Sequence, residues 1–331
     1  MLSHPAVAVL TPIDDRDAIA LIHAYGLGEF VARAGIAAGS VNSNFAIDAT
    51  AGRVFLRIYE EQDLAGAQKE TSMLERLARA NVPTPAPLRR LDGALVSVLR
   101  GKPAAVFPWK EGTMRCQASV SADDAWRVGE ALARVHVAGQ AEAIESGRFR
   151  FEDLSARLDR IEASRDERFA SIVGGVRSRL GAAHAARDRR LPAGLIHGDL
   201  FRDNVLWSEN GRIGALLDFE SACHGTYAYD FMVTVLAWCV GDDLSPTLAR
   251  AMREGYEEVR PLSEVEKDAL LVEGSFGALR FTITRITDYA LRAGGEGPRV
   301  TKDWRRFLKR FEKLEALGPR GLRELLFLSA R

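Results

Sequence analysis

Polar and apolar positions alternate along Ser43-Asn44-Phe45-Ala46-Ile47-Asp48 and again along Arg53-Val54-Phe55-Leu56-Arg57-Ile58-Tyr59, with Ala51-Gly52 between the two runs. A period of two interrupted by a turn signal predicts a β-hairpin. The period then lengthens, with Leu64, Ala67, Met73, Leu74 and Leu77 on one face of a helix. Pro83, Pro85 and Pro87 forbid its continuation, because proline lacks an amide hydrogen and restricts the residue before it. Two short apolar runs, 94–99 and 103–107, read as strands closing a small sheet.

Pro108-Trp109-Lys110-Glu111-Gly112 breaks this pattern. The expected organisation is an N-lobe over 1–106, a hinge over 107–113 and a mostly helical lobe over 114–331. Ser121-x-x-Asp124 is a capping-box start for a helix to about residue 138, and Ser263-x-x-Glu266 starts a longer one to about residue 292. Between these helices, 194–204 and 205–220 read as a loop and short strands. A small antiparallel sheet with one main helix, joined to a larger helical lobe, is an α+β arrangement.

Composition narrows the function. The 331 residues are 47% hydrophobic and 27% charged, ordinary for a globular chain, and the length suits two lobes. Lys plus Arg and Asp plus Glu are 45 each, so there is no basic excess of the kind duplex binding requires, and nucleic acid is not an expected partner. The apolar run 231–240 holds ten residues against the roughly 20 of a membrane-spanning helix, so it is expected to be a core helix. Cys116, Cys223 and Cys239 form neither a CxxC pair nor a disulfide framework, and no basic, apolar leader opens the chain. A cytoplasmic protein without membrane partners is expected; the oligomeric state is left open.

The chemistry concentrates in His197-Gly198-Asp199-Leu200-Phe201-Arg202-Asp203-Asn204, followed by Ala215-Leu216-Leu217-Asp218-Phe219-Glu220. Asx turns in loops are common, and the Asp-x4-Asn spacing alone would fit two solvated turns. Here the polar loop is held between apolar Leu195-Ile196 and Val205-Leu206-Trp207, and a second Asp arrives at the end of another apolar strand. That arrangement suits phosphoryl transfer: Asp199 takes or orients the proton of the attacking hydroxyl, while Asn204 and Asp218 hold Mg2+ against the phosphates of ATP. His197 is expected to brace the loop, His136 to be a satisfied core histidine, and Asp230 to cap the 231–240 helix or steady the loop.

HGDLFRDNVLW and GALLDFE resemble the catalytic loop and metal-binding segment of the aminoglycoside/choline phosphotransferase-like kinases. AYGLGEF, GIAAGSVNSNF, GKPAAVFPWKEG, LLDFESAC, AYDFMVTVLAWC and ALRFTITRITDY extend the resemblance to the type II homoserine kinases along most of the chain. The resemblance implies a protein-kinase-like bilobal fold, with Asp199 as base and Asn204 and Asp218 as metal ligands. It also implies that Ser40, Asn42, Ser43 and Asn44 belong to the loop over the ATP phosphates. Arg57 stands where many kinases place a phosphate-contacting lysine, and keeps the charge with a planar fork instead of a point ammonium. Glu70 lies on the apolar face of its helix, where a carboxylate needs a partner, and Arg57 is the expected one.

The expected substrate is a small hydroxyl compound, with L-homoserine favoured. Its ammonium calls for an acid, for which Glu220 is the candidate; its carboxylate calls for a cation, for which Arg280 and Arg285 are candidates. Salt bridges of these arginines to Asp288 or Glu273 are the competing reading. Choline would need an aromatic cage, to which Trp207 and Trp238 could contribute. Aminoglycosides need convergent acids, whereas residues 300–331 carry nine Lys/Arg against four Asp/Glu. Ethanolamine, methylthioribose and a non-catalytic ATP-binding module stay open as alternatives.

Overall fold

The computed structural model describes residues 10–36, 42–141, 145–291 and 302–328. The chain divides into two compact units, residues 1–112 with 214–217, and 113–213 with 218–331.

The first unit begins with α1 (Asp15–Ala24), a helix the sequence pattern did not announce. Its start is a capping box: Asp14 accepts from the Asp17 amide and Asp17 accepts from the Asp14 amide. Arg100 bridges both carboxylates. A five-stranded antiparallel sheet follows, formed by β1 (Phe30–Ile36), β2 (Ser43–Ala49), β3 (Gly52–Ile58), β4 (Ser97–Leu99) and β5 (Lys102–Pro108) in the order β1-β2-β3-β5-β4. The hairpin β2–β3 pairs Ser43 with Ile58 through to Ala49 with Gly52. Its alternation buries Phe45, Ile47, Val54, Leu56 and Ile58 against Ala18, Leu21 and Ile22 of α1. The helix α2 (Leu64–Arg79) is capped by Asp63 and buries Ala67, Glu70, Thr71, Leu74 and Leu77.

The second unit contains α3 (Ala122–Ala138), α4 (Phe151–Ala163), α5 (Glu167–Ala170), α6 (Val173–Ala186), the short strands β6 (Ala193–Ile196), β7 (Val205–Trp207), β8 (Ile213–Leu216) and β9 (Cys223–Thr226), then α7 (Tyr227–Trp238), α8 (Pro246–Glu257), α9 (Glu264–Arg285) and α10 (Arg305–Phe327). Gly214–Leu217, most of β8, groups with the first unit. Capping boxes at Ser121 and Ser263 start α3 and α9. The α9 helix ends at Arg285 and passes into a π-turn over Ile286–Ala290, short of the 292 that the pattern suggested. Every residue of α7 is buried, as its continuous apolar run requires. No helix among the described residues is long and apolar enough to cross a membrane.

The helices α3 and α8 meet backbone to backbone. A methyl group at Gly129 would overlap the Met252 carbonyl oxygen, and one at Gly255 would overlap that of Trp126. Neither oxygen can rotate away as a side chain could. Gly129→Ala is therefore expected to destabilise the protein by about 1–3 kcal/mol, the usual cost of overpacking. Urea unfolding checks it, and an unchanged midpoint would mean that the helices separate freely.

Candidate functional site

The polar loop starts where β6 ends. Antiparallel pairing of β6 with β9, from Ala193 with Thr226 to Ile196 with Cys223, fixes the direction in which the chain leaves the ladder. It then turns at Gly198, whose φ is +74° and whose Cα lies where a methyl group would come within 2.9 Å of the Ser221 carbonyl oxygen. The left-handed backbone and the close approach both favour glycine.

One buried carboxylate ties down this turn. Asp230, in the first turn of α7, accepts the amides of His197 at 2.7 Å and Gly198 at 2.8 Å. It also meets His136 Nε2 at 3.0 Å, and His136 Nδ1 meets the Tyr256 hydroxyl at 2.7 Å. Asp230, His136 and His197 are fully buried. Burial opposes ionisation of Asp230, but the bonds from His136 and Gly198 and the nearby His197 outweigh it and hold the carboxyl below its usual range. Burial pushes His136 down, with Asp230 pulling the other way. His197 accepts the Asp199 amide at Nδ1, 3.3 Å away, and packs on Phe219 with ring centroids 4.5 Å apart.

Asp199 follows at the opening of the loop, its side chain 26% exposed. The Asn204 Nδ2 donates to the Asp199 carbonyl oxygen at 2.8 Å, so the amide that ends the loop closes it on the residue that begins it. Arg280 Nη1 lies 3.9 Å from Asp199 Oδ1. Burial pushes the Asp199 carboxyl above its usual range; Arg280, Lys302 and His197 pull it down, and the charge of Asp218 pushes it up. Asp218 itself sits at φ +60°, an uncommon conformation for a residue with a side chain. Its Oδ1 is buried with no hydrogen-bond partner among the described residues. An orphaned carboxylate oxygen is costly in a protein interior unless a cation satisfies it. Among the described residues no three His, Cys, Asp or Glu side chains form a metal cluster. A divalent ion held by Asn204 and Asp218 would therefore take its other ligands from phosphate and water.

Arg280 and Arg285, both on α9, have different surroundings. The Arg280 guanidinium lies 3.9 Å from the centre of the Phe149 ring; the residue is 3% exposed, and its Nε and Nη1 have no hydrogen-bond partners among the described residues. Arg285 Nη1 donates to the Asp303 carbonyl oxygen, and its guanidinium lies 4.5 Å from the Phe307 ring. The competing acids are engaged elsewhere: Glu273 with Arg187, at 2.7 and 2.8 Å, and Asp288 with Arg157. Glu220 lies 3.9 Å from Arg148. Trp207 and Trp238 are buried core residues in an edge-on pair, and the Trp238 indole donates to the Leu200 carbonyl, so they form no cage.

A cavity of about 100 Å³ opens beside the loop, lined by Gly198, Phe149, Arg187, Thr226 and Tyr229 among others. Arg187, Thr226 and Tyr229 did not stand out in the sequence, since nothing in their local spacing separates them from structural residues. Thr226 Oγ1 donates to Glu273, which joins it to the Arg187 pair.

In the first unit, Arg57 Nη1 lies 3.4 Å from Glu70 Oε1, and Tyr59 and Gln62 also donate to Glu70. Asn42 Oδ1 accepts the Glu60 amide, and buried Asn44 pairs across the hairpin with Arg57. Ser43 is fully buried, and its hydroxyl accepts the amides of Leu10 and Thr11 and donates to Glu60. Its contacts tie the N-terminal segment to β2. Ser40 lies outside the described residues.

The phosphotransferase enzyme family matches residues 33–262. A homoserine kinase of Caulobacter vibrioides is 35% identical over 297 residues, covering 87% of this chain and 92% of that protein. One of Acidiphilium cryptum is 36% identical over 287 residues, covering 86% and 89%. Among solved structures, a spectinomycin phosphotransferase bound to ADP and spectinomycin has a TM-score of 0.69 at 14% identity, covering 96% of this chain and 99% of that one. An amicoumacin kinase bound to AMP-PNP and Ca2+ has a TM-score of 0.66 at 14% identity, covering 96% of each. The protein-kinase-like architecture expected from the motifs is the one these structures share. With a matching family over more than two thirds of its length and relatives aligned almost end to end, the chain belongs to the phosphotransferase enzyme family.

Proposed function

We propose that the chain is an ATP- and Mg2+-dependent kinase that phosphorylates the side-chain hydroxyl of L-homoserine. The observation that carries the reading is the Asp199–Asn204 loop, anchored by Asp230, together with the orphaned buried oxygen of Asp218. In this reading Asp199 accepts the hydroxyl proton as the oxygen attacks the γ-phosphorus, and the bond to the bridging oxygen breaks to release ADP. Arg280 lies 3.9 Å from the carboxyl, and its charge limits the rise that burial causes. Asn204 and Asp218 would hold the magnesium ion, which would neutralise charge on the phosphates. In the first unit, Arg57 steadied by Glu70 is the proposed phosphate contact. Asn42 and Asn44 remain proposed members of the nucleotide loop.

The relatives aligned along most of the chain are homoserine kinases, which supports a small amino acid as acceptor. Buried Arg280, with unused donors, is the proposed partner of the acceptor carboxylate, and Glu220 of its ammonium. Acceptor-dependent ADP formation with homoserine, choline, ethanolamine, an aminoglycoside and methylthioribose tests the assignment. Homoserine is expected to give the highest kcat/KM; a higher value for another acceptor overturns the substrate and leaves the kinase.

Because burial raises Asp199, the acidic limb of kcat/KM is expected above the ordinary aspartate value of about 3.9. Arg280 is the largest influence pulling that carboxyl down, so Arg280→Met moves the limb further towards neutral pH. A pH profile whose acidic limb stays in place in Arg280→Met would separate the two groups.

A further inference from the structure

The buried pair of Asp230 and His136 continues outward through three more side chains. His136 lies on α3 and Tyr256 on α8, the helices that meet backbone to backbone at Gly129 and Gly255. This close approach puts the Tyr256 hydroxyl 2.7 Å from His136 Nδ1. Arg260, just beyond the end of α8, donates from Nη1 to the same hydroxyl at 3.0 Å and from Nη2 to Glu266 at 2.8 Å. Glu266, on α9, is buried, and its other oxygen accepts the amide and hydroxyl of Ser263. The Arg260 guanidinium also lies 4.3 Å from the centre of the Tyr227 ring, so it is held from two sides.

The chemistry of the donors fixes the direction of each bond. A guanidinium only donates, so the Tyr256 oxygen accepts from Arg260 and its one hydrogen is left for His136. His136 Nδ1 is then a bare lone pair, and the ring proton sits on Nε2, facing Asp230 Oδ2 at 3.0 Å. A second ring proton, on Nδ1, would meet an oxygen already accepting from Arg260 and would leave the tyrosine hydrogen without an acceptor. It would also place a positive charge near Arg260 in a region where water screens little. The other groups facing His136 are Tyr227, stacked at 4.6 Å, Asp230 and, beyond Arg260, Glu266. Burial holds His136 below its usual range against the pull of Asp230; Arg260 works with burial and Glu266 against it. The His197 amide shares Asp230 Oδ2 with His136, and the Gly198 amide takes Oδ1. An imidazolium would compete with the His197 amide for one oxygen, whereas a neutral ring leaves the carboxylate charge to the turn that presents Asp199.

We propose that Tyr256 and Arg260 are positioning residues for phosphoryl transfer: they fix a neutral His136, its single ring proton on Nε2, against Asp230 and so hold the catalytic loop. The role in transfer rests on the kinase reading; the proton position does not.

The test is nitrogen NMR of the histidine-labelled full chain across pH, with His136 identified by its contacts with the Tyr227 ring, alongside steady-state kinetics. In the wild type, Nε2 is expected to carry the proton and Nδ1 to stay bare throughout the pH range in which the chain is folded. Arg260→Met removes the charge and frees the Tyr256 oxygen to accept from Nδ1. Its His136 is expected to take a second proton roughly 1 pH unit or more above wild type, the scale of a nearby like charge. Its kcat should fall along the same titration, with KM for ATP unchanged. Arg260→Lys, which keeps the charge and a donor, should titrate closer to wild type, as a merely structural role would not require. A proton on Nδ1 of wild-type His136 overturns the proposal whether or not the variants fold. So does a His136 titration unchanged in Arg260→Met, or one that moves while kcat does not. A wild-type chain with the expected proton position that transfers no phosphate would overturn the kinase reading instead.

Discussion

Asp199→Ala is expected to lower kcat by on the order of 10²–10⁴, or roughly 3–5 kcal/mol of barrier, while leaving nucleotide affinity within a few-fold. The size follows from what the side chain does. A positioned carboxylate receives the proton of an alcohol that would otherwise attack poorly, and alanine leaves only the positioning and electrostatic contributions of the site. The fold should tolerate the change. The Asp199 backbone carbonyl, which holds Asn204, is retained, and among the described residues the carboxylate's ion-pair partner is a distant Arg280 at 3.9 Å. Steady-state kinetics with a parallel urea melt separates the two effects. A kcat within a few-fold of wild type would remove Asp199 from the chemistry.

Asp230→Ala is expected to act on stability. Its carboxylate accepts two backbone amides and meets His136 in a region without solvent access. Alanine leaves these donors buried and unpaired, and breaking a buried network of this kind costs roughly 3–5 kcal/mol. The sign with pH follows from the lowered carboxyl. A group whose folded pKa is depressed contributes stability above its unfolded value of about 3.9, and loses it as pH falls through the folded value. The full loss should therefore appear at neutral pH as a lower urea midpoint, and should shrink in acid. A midpoint at neutral pH matching wild type would mean that the loop has other anchors.

Much of the architecture was legible because local signals agreed with it. The β2–β3 hairpin followed from strict alternation around Gly52, and α3 and α9 from their capping boxes at Ser121 and Ser263. The strand β1 gave no such signal: its five central residues are exposed, so no burial period marks Phe30-Val31-Ala32-Arg33-Ala34-Gly35-Ile36. The helix α1 was hidden because an Asp-x-x-Asp box is a weaker cue than Ser-x-x-Glu.

The site divides similarly. Asp199, Asn204 and Asp218 lie within twenty residues and could be read from their spacing together with the apolar strands that flank them, but their support comes from far along the chain. Asp230 reaches back to His197 and Gly198, and His136 joins it from a different helix. Ser43 shows the converse. A small polar residue at the start of a strand looks like a ligand donor, yet its hydroxyl is used by Leu10 and Thr11, more than thirty residues earlier.

Mass-resolved transfer from ATP to L-homoserine tests the central claim most directly. Purified wild-type protein with Mg2+ should form the O-phosphorylated amino acid in step with ADP, and Asp199→Ala, folded by the same urea criterion, should nearly abolish it. Formation of ADP without a phosphorylated acceptor, or product at a wild-type rate from Asp199→Ala, would contradict the account.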